Sequence, residues 1–187
     1  MEALKKGEID IDTLVNYVSE VISKESGNIL GDAQKSMVLS RLNKRLIDLG
    51  ALDPQSYYEY LQENYKKEVS ILVSLLTTHH TFFFREFVHF EFIQDYLPIM
   101  VEKIKKRGDS KLKVLSLACS KGHEVYSLAM FLDSNKELLQ GLEYEVTGTD
   151  IDPECIEMAK NGVYSFKEVK TIPTKFLNGN WKKGTGE

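Results

Sequence analysis

The strongest structural signal in this sequence is the stretch L-S-L-A-C-S-K-G-H-E-V-Y-S-L-A-M at residues 115–130. It starts as an apolar run, turns tightly at residues 119–122 and continues as an amphipathic run. A buried strand that enters a helix through a glycine turn is typical of a parallel α/β domain. Backbone N–H groups meet a ligand at such a helix start, and Gly122 lets the ligand approach closely. The stretch therefore predicts a strand, a ligand-binding turn and a helix.

A second apolar run at residues 144–149 ends in Asp150. In nucleotide-binding sheets, an acid at the end of the second strand accepts hydrogen bonds from ribose hydroxyls. A structural interpretation is equally open: a tight turn, followed by Asp152 as the cap of a helix that begins at Pro153. The turn lacks the G-x-G-x-x-G of dinucleotide enzymes, which disfavours a dehydrogenase.

The N-terminal part has helical periodicity. Four apolar stripes recur at three- and four-residue spacing, which predicts a small four-helix unit. Gly50 is a typical helix end, and Asp53-Pro54 is a typical helix start. A further helix is expected over residues 88–106. The four stripes include Leu14, Val18, Ile22, Val38, Leu42, Leu46, Tyr57, Tyr58, Leu61, Val69, Leu72, Val73 and Leu76.

Strands and helices alternate after residue 111. The predicted elements are strands at residues 113–118 and 144–149 and helices at residues 124–132 and 153–160. This order opens a doubly wound sheet, so the predicted fold class is an all-α N-terminal domain followed by the first part of an α/β Rossmann-like domain. The predicted divisions are residues 1–76 as the helical domain, 77–110 as a linker motif with a connecting helix, and 111–187 as the partial α/β domain. The end of the chain is lysine-rich and is predicted to be loop-like.

Length and composition exclude several classes of protein. The 187 residues contain no apolar run of membrane-spanning length and no signal-peptide pattern, so we expect a cytoplasmic protein. The net charge of −4 argues against general nucleic-acid binding. The basic residues 103–108 are interpreted as a solvated helix end rather than a nucleic-acid patch. Cys119 and Cys155 give no disulfide framework and are expected to be reduced thiols.

Upstream of the α/β part, residues 77–87 read T-T-H-H-T-F-F-F-R-E-F. Arg85 suits a carboxylate ligand because its guanidinium is planar; its structural alternative is to pair with Glu86 or cover the aromatic rings. Glu124 either complements the helix dipole or accepts hydrogen bonds from a ligand ammonium group. The adjacent side chains of His79-His80 point apart and no ligand spacing recurs, so no metal site is predicted.

Together these residues resemble the CheR-type chemotaxis methyltransferases, which transfer a methyl group from S-adenosylmethionine to glutamate side chains of chemoreceptors. Residues 77–85 are similar to the family pattern T-T-N-L-T-x-F-F-R, and residues 119–127 to A-S-T-G-E-E-P-Y-S. The family's D-I-D is matched at residues 150–152, its R-L-x-x-R-L at residues 41–46 and its closing G-T-G at residues 184–186. The resemblance implies a helical N-terminal domain and a Rossmann-like methyltransferase domain.

The resemblance also implies the roles of individual residues. The cofactor-binding residues it implies are His79, Thr81, Arg85, Gly122, Glu124 and Asp150. Glu124 would bind the amino group of S-adenosylmethionine, and Asp150 its ribose. Thr81 and Arg85 would contact the cofactor or lie beside the transferred methyl group, and Arg85 is the implied catalytic residue, because it would orient the substrate carboxylate. The implied product is S-adenosylhomocysteine.

The chain departs from the family pattern in the cofactor turn. Lys121 stands where the family has threonine, His123 where it has glutamate, Val125 where it has proline, and His79 replaces an asparagine upstream. An anion is removed and a cation is added near a cationic sulfonium. These changes predict weaker cofactor binding unless Lys121 meets the methionine carboxylate.

Family members continue for roughly another hundred residues, as the size of such a domain requires. The chain is therefore expected to be incomplete: a fragment, one part of a larger assembly or a natural remnant. Three hypotheses stay open: a protein-glutamate methyltransferase in incomplete form, a receptor- or partner-binding module without catalysis, and a nucleotide-binding regulator. Two parallel strands leave apolar faces uncovered, so a homodimer is expected, with a swap through residues 105–111 as one form.

A basic helix face is predicted as the partner-docking surface. Arg41, Lys44 and Arg45 fall at helical spacing, opposite Leu42 and Leu46. The expected partners are the acidic methylation regions of chemoreceptor cytoplasmic helices. The alternative is an ordinary solvated face.

Overall fold

The computed structural model describes residues 9–51, 53–77, 80–177, 179 and 181–184. The chain divides into two compact units, Met1–Thr78 and His79–Glu187. Each unit has its own hydrophobic core. The three-part division at residues 76 and 110 stays a prediction.

The first unit is helical throughout its described elements. They are α1 (Ile11–Ser26), α2 (Lys35–Leu49), α3 (Pro54–Glu63) and α4 (Tyr65–Leu76), with a short 3₁₀ turn at Asp32–Gln34. Two predicted helix boundaries are correct in detail. Gly50 ends α2 in the left-handed conformation, with φ 66°, and Asp53 caps α3 by accepting a hydrogen bond from the Ser56 amide at 2.7 Å.

Within the described part of the helical unit, one carboxylate is fully buried, that of Glu68. Arg45 of α2 donates to both of its oxygens, at 2.9 and 2.7 Å, and the Tyr57 hydroxyl of α3 donates at 2.7 Å. A buried charge needs such partners to offset its lost hydration. Glu68 therefore links α2, α3 and α4 through one polar cluster.

The second unit contains a helix, a two-stranded sheet and further helices. Its elements are α5 (Val88–Lys106), β1 (Lys111–Leu117), α6 (His123–Ser134), β2 (Glu143–Thr149), α7 (Pro153–Asn161) and α8 (Phe166–Val169), with 3₁₀ turns at Lys136–Leu139 and Thr174–Phe176. The predicted order and fold class are confirmed. The loop-like prediction for the end of the chain was wrong in part, because α8 and the 3₁₀ turn at Thr174–Phe176 form there, with Ile172 and Phe176 buried in the core.

The two strands pair in parallel, with Lys111 opposite Glu143 and Leu117 opposite Thr149. Side chains alternate between the two faces of the sheet. Leu112 and Ser116 are buried on the face that α6 covers, whereas Leu115 is 58% and Leu117 72% exposed. We call the second face the open face; it comprises Lys111, Lys113, Leu115, Leu117, Glu143, Glu145, Thr147 and Thr149. The prediction of a buried strand therefore holds for one face.

Among the helices of the described residues, none is both long enough and apolar enough to cross a membrane.

Candidate cofactor site

The turn between β1 and α6 has an unusual backbone. Ala118, Ser120 and Gly122 have φ values of 55°, 48° and 87°, and the left-handed region is uncommon for side chains other than glycine. Two hydrogen bonds hold this turn against the end of β2. The Cys119 amide donates to the Thr149 carbonyl at 2.8 Å, and the Ser120 amide donates to Asp150 Oδ2 at 2.7 Å.

Gly122 is required by packing as well as by its backbone angle. A Cβ atom at this position would lie 2.8 Å from Ala159 Cβ and 3.2 Å from Ala159 Cα, both on α7. The Tyr164 hydroxyl would lie 3.0 Å from it. A side chain here would push α7 away from the turn.

Asp150 joins the end of β2 to the turn. Its Oδ1 accepts from the Asp152 amide at 2.9 Å, in addition to the bond from Ser120. Asp152 is itself buried and accepts from the Glu154 amide, so it caps α7. The helix-cap interpretation is thus confirmed for Asp152, and the ribose role of Asp150 stays a prediction. Each Asp150 oxygen keeps a second acceptor direction, which suits ribose hydroxyls.

Glu124 lies in the first turn of α6 with an exposed side chain. Its Oε1 accepts a hydrogen bond from Ser116 Oγ at 2.7 Å. Ser116 belongs to β1 and is buried, so the carboxylate has a defined position. Sequence reasoning missed Ser116, although its polar character inside an apolar strand was a signal.

The aromatic segment at residues 80–87 is held by ring packing and by a backbone hydrogen bond. Phe83 and Phe84 are buried, and Phe84 stacks on Phe176 at 4.4 Å. Phe84 and Glu86 have φ values of 54° and 52°, a conformation that costs a non-glycine residue about 1–3 kcal/mol. The Phe84 amide donates to Ser127 Oγ at 2.9 Å. Packing and this hydrogen bond offset the backbone strain.

Arg85 is exposed, and its Nη1 donates to the His80 carbonyl at 3.0 Å. The predicted structural alternatives were an ion pair with Glu86 or a cover for the aromatic rings; the contact found is with this carbonyl. Thr81 is half-buried. His79 lies outside the described residues. The roles of these three residues in binding the cofactor stay predictions.

His123 is buried rather than exposed to the turn. Its Nε2 lies 3.1 Å from Glu168 Oε1, and its ring is 4.6 Å from Phe83 and 4.7 Å from Tyr164 between centroids. Burial lowers the pKa of the imidazole below its ordinary value. Burial thus favours the neutral imidazole, so His123 removes the family's anion without adding a charge, and the added cation at the turn is Lys121.

The hydrogen-bond acceptors around the turn fit the ammonium group and ribose hydroxyls of S-adenosylmethionine. The carboxylate of Glu124 lies in the first turn of α6, and that of Asp150 directly follows β2, where the Ser120 amide binds it. A carboxylate at each position suits an ammonium group and a pair of hydroxyls. The half-exposed side chain of Ile151 adds apolar surface beside Asp150.

The two cysteines lie close to the turn. Cys119 and Cys155 form no disulfide and are buried, and both sulfur atoms contact Ser120. Burial raises the pKa of the Cys119 thiol and raises that of Cys155 to about 11. Both are protonated at neutral pH and react poorly. The described residues also contain no group of three side chains arranged to hold a metal ion.

The basic face of α2 is engaged within its own unit. Arg45 binds the buried Glu68, and its guanidinium is largely covered. Arg41 Nη1 donates to the carbonyls of Leu75 and Thr77 at 2.5 and 3.1 Å, at the end of α4. Lys44 is exposed. Docking at this face stays a prediction, and these contacts give Arg41 and Arg45 structural roles.

The chain resembles known proteins over both units. Residues 79–186 match the family model described as CheR methyltransferase, SAM binding domain, and residues 15–77 match CheR methyltransferase, all-alpha domain. The chemotaxis protein methyltransferase of Escherichia coli (strain K12) is 34% identical over 176 residues, which cover 94% of this chain and 58% of that protein. The protein of that name from Salmonella typhimurium LT2 gives the same identity and coverage.

A relative of lower sequence identity matches a similar share of its length. The chemotaxis protein methyltransferase of Borreliella burgdorferi is 28% identical over 166 residues, which cover 85% of this chain and 59% of that protein. The chain thus spans less than two thirds of the length of the curated relatives it matches.

Proposed function

The chain belongs to the CheR methyltransferase family, and from this premise we propose that it binds S-adenosylmethionine at the turn between β1 and α6. We further propose that it serves methyl transfer to glutamate side chains on the cytoplasmic helices of chemoreceptors. The cofactor proposal rests on the hydrogen bond from the Ser120 amide to Asp150. This bond joins the glycine turn to the carboxylate that we propose binds the ribose.

Each residue of the turn has a distinct task in this proposal. Gly122 lets the turn pack closely against α7, and the start of α6 offers N–H groups to the ligand carboxylate. Glu124, held by Ser116, accepts from the ligand ammonium group, and Asp150 accepts from the ribose hydroxyls. Lys121 has the charge to pair with the ligand carboxylate.

The proposed reaction needs alignment more than acid–base catalysis. S-adenosylmethionine supplies a methyl group bound to a cationic sulfur. A substrate glutamate is already ionised at pH 7, so no residue of the chain has to remove a proton. The exposed guanidinium of Arg85 can orient that carboxylate with its remaining N–H groups. Very strong hydrogen bonds from Arg85 would lower the nucleophilicity of the carboxylate.

Calorimetric titration tests the cofactor proposal. We expect micromolar binding of S-adenosylmethionine by the chain, with a loss of about tenfold in Asp150→Asn. Glu157→Gln is the matched control, because Glu157 is an exposed acid on α7 that pairs with Lys160. Absence of binding by the wild-type chain would contradict the proposal. Transfer of labelled methyl groups to receptor peptides then tests the reaction separately.

A non-catalytic partner-binding module is the second candidate. The open face of the sheet favours it, because Leu115 and Leu117 are exposed beside the proposed site. A chain of this kind would bind receptor peptides without binding S-adenosylmethionine. The homodimer and the cytoplasmic location stay proposals as well. The same open face supports the homodimer, since a second copy would cover it.

A further inference from the structure

His123 is the first residue of α6. It stands between Gly122 and Glu124, two residues of the proposed cofactor site. Its side chain is 1% exposed and lies between the rings of Phe83 and Tyr164. Among the described residues, its Nδ1 has no hydrogen-bond partner. The single contact of Nε2 with Glu168 therefore sets the orientation of the ring.

The backbone of His123 is tied to the aromatic segment. Ser127 Oγ donates to the His123 carbonyl at 2.7 Å and accepts from the Phe84 amide at 2.9 Å. Ser127 is fully buried, so water does not compete for these bonds. The ring of His123 meets Phe83, and its carbonyl is linked to Phe84 through Ser127. Both contacts hold the segment that carries Thr81 and Arg85.

Glu168 is a fixed partner rather than a mobile one. Its Oε2 accepts from the amide and the hydroxyl of Ser165, at 2.9 and 2.7 Å. The Ser165 hydroxyl bond is the main cause that lowers the pKa of Glu168, so the carboxylate is ionised at neutral pH. Its neighbour Tyr164 donates to the Lys121 carbonyl at 2.6 Å, inside the cofactor turn. The charged groups around His123 are thus Glu168 and Lys121.

We propose that His123 is a positioning residue for cofactor binding. The hydrogen bond from its Nε2–H to Glu168 holds three segments together: residues 80–87, 118–124 and 164–168. Their arrangement holds Phe83 and Phe84, which lie between Thr81 and Arg85 in sequence, against α6. The inference rests on the proposed S-adenosylmethionine site, and His123 acts through its neighbours without touching the cofactor.

Two substitutions separate the hydrogen bond from ring packing. His123→Phe keeps a ring between Phe83 and Tyr164 and removes the donor. His123→Gln keeps an N–H donor near Nε2 and removes the ring. We expect His123→Phe to weaken S-adenosylmethionine binding about tenfold, or about 1.4 kcal/mol, the size of one buried hydrogen bond. His123→Gln should stay within about threefold of the wild type by the same conversion.

The single tryptophan of the chain gives a second measurement that needs no cofactor. Trp181 meets the Phe83 ring edge-on at 5.4 Å and lies 6.0 Å from Tyr164. If the His123–Glu168 bond positions this cluster, Trp181 emission should change in His123→Phe and return towards the wild-type spectrum in His123→Gln. Thermal melts confirm that each variant is folded.

The outcomes distinguish the inference from the proposed function. Equal cofactor affinity in the wild type and His123→Phe, or equal weakening in both variants, would overturn the positioning role. If the wild type itself does not bind the cofactor, the proposed function fails, and Trp181 emission alone then decides. Identical emission from the wild type and His123→Phe would overturn the inference in that case.

Discussion

The helical unit covers its apolar residues on every predicted stripe, whereas the α/β unit covers one face of its sheet. Leu42 and Leu72 are fully buried in the helical unit, while Leu115 and Leu117 are exposed on the open face. The sequence patterns behind them differ. A helical stripe specifies which face turns inward. A continuous apolar strand fits a sheet covered on both faces, but the cover for the second face must come from elsewhere.

The largest expected effect lies in the helical unit. Glu68→Ala leaves the Arg45 guanidinium and the Tyr57 hydroxyl without their shared acceptor. Breaking a buried pair in this way lowers the free energy of unfolding by about 3–5 kcal/mol. Urea denaturation measures this change. Asp32→Ala is the control, since Asp32 is exposed and pairs with Lys35 at the surface; its effect should be below about 1 kcal/mol.

The two faces of β1 can be compared directly. Leu112→Ala, on the covered face, should lower the free energy of unfolding by about 2–5 kcal/mol. Leu115→Ala, on the open face, should change it by less than about 0.5 kcal/mol in a monomer. A large effect of Leu115→Ala would contradict an uncovered face in solution. Light scattering would then show whether the cover is a second copy of the chain.

Two glycines with the same backbone angle separate strain from packing. Gly122 and Gly141 have φ values of 87° and 85°, but a Cβ at Gly141 has no neighbour within 4 Å. Gly141→Ala therefore measures backbone strain alone, about 1 kcal/mol. Gly122→Ala adds the clash with Ala159, about 1–3 kcal/mol more. Similar unfolding curves for the two variants would show that α7 moves away from the added methyl group at little cost in stability.

A pH series tests the buried imidazole. Burial lowers the pKa of His123, so its contribution to stability is present above the unfolded pKa of about 6.5. That contribution is lost as the pH falls through the lower folded value. The stability difference between the wild type and His123→Gln should therefore shrink from pH 8 to pH 5.5 in urea titrations. A constant difference would mean that His123 does not titrate in this range.

The smallest effect on stability is expected at the docking face. Lys44→Glu should change the free energy of unfolding by less than about 0.5 kcal/mol, because Lys44 is exposed. It should still weaken binding to acidic receptor peptides and reduce the salt dependence. Reversing the charge of Arg45 as well would break its hydrogen bonds with Glu68. A loss of binding could then come from a loss of stability rather than of docking. Unchanged peptide binding by Lys44→Glu would remove the docking hypothesis.

Much of the helical architecture was predictable because its signals are local. Residues 88–106 form α5 within the predicted bounds, and Gly50 and Asp53-Pro54 mark helix ends as expected. Glu68 was missed, yet it lies four residues before Leu72 and eight before Leu76. That spacing places it on the buried face, where an acid needs a basic partner.

The strand–turn–helix order around the candidate site was predictable from local sequence, but its contacts were not. The turn after β1 and the acid after β2 meet through the Ser120 amide and Asp150, as their positions after two paired strands predict. The left-handed angles of Phe84 and Glu86 have no sequence signal, because neither residue type favours them. The burial of His123 depends on Phe83 and Glu168, which are 40 and 45 residues away in sequence. Such long-range contacts leave no trace in local periodicity.

Within the described part of the chain, the sheet has two strands and therefore two free edges. In a parallel pair, only alternate N–H groups of each strand donate to the neighbour, and the others point outward. Successive amide protons along β1 and β2 are thus expected to exchange with deuterium at alternating slow and fast rates. A strand added by any partner would slow the fast amides on one edge and leave those on the other. The exchange pattern would show which edge that partner occupies.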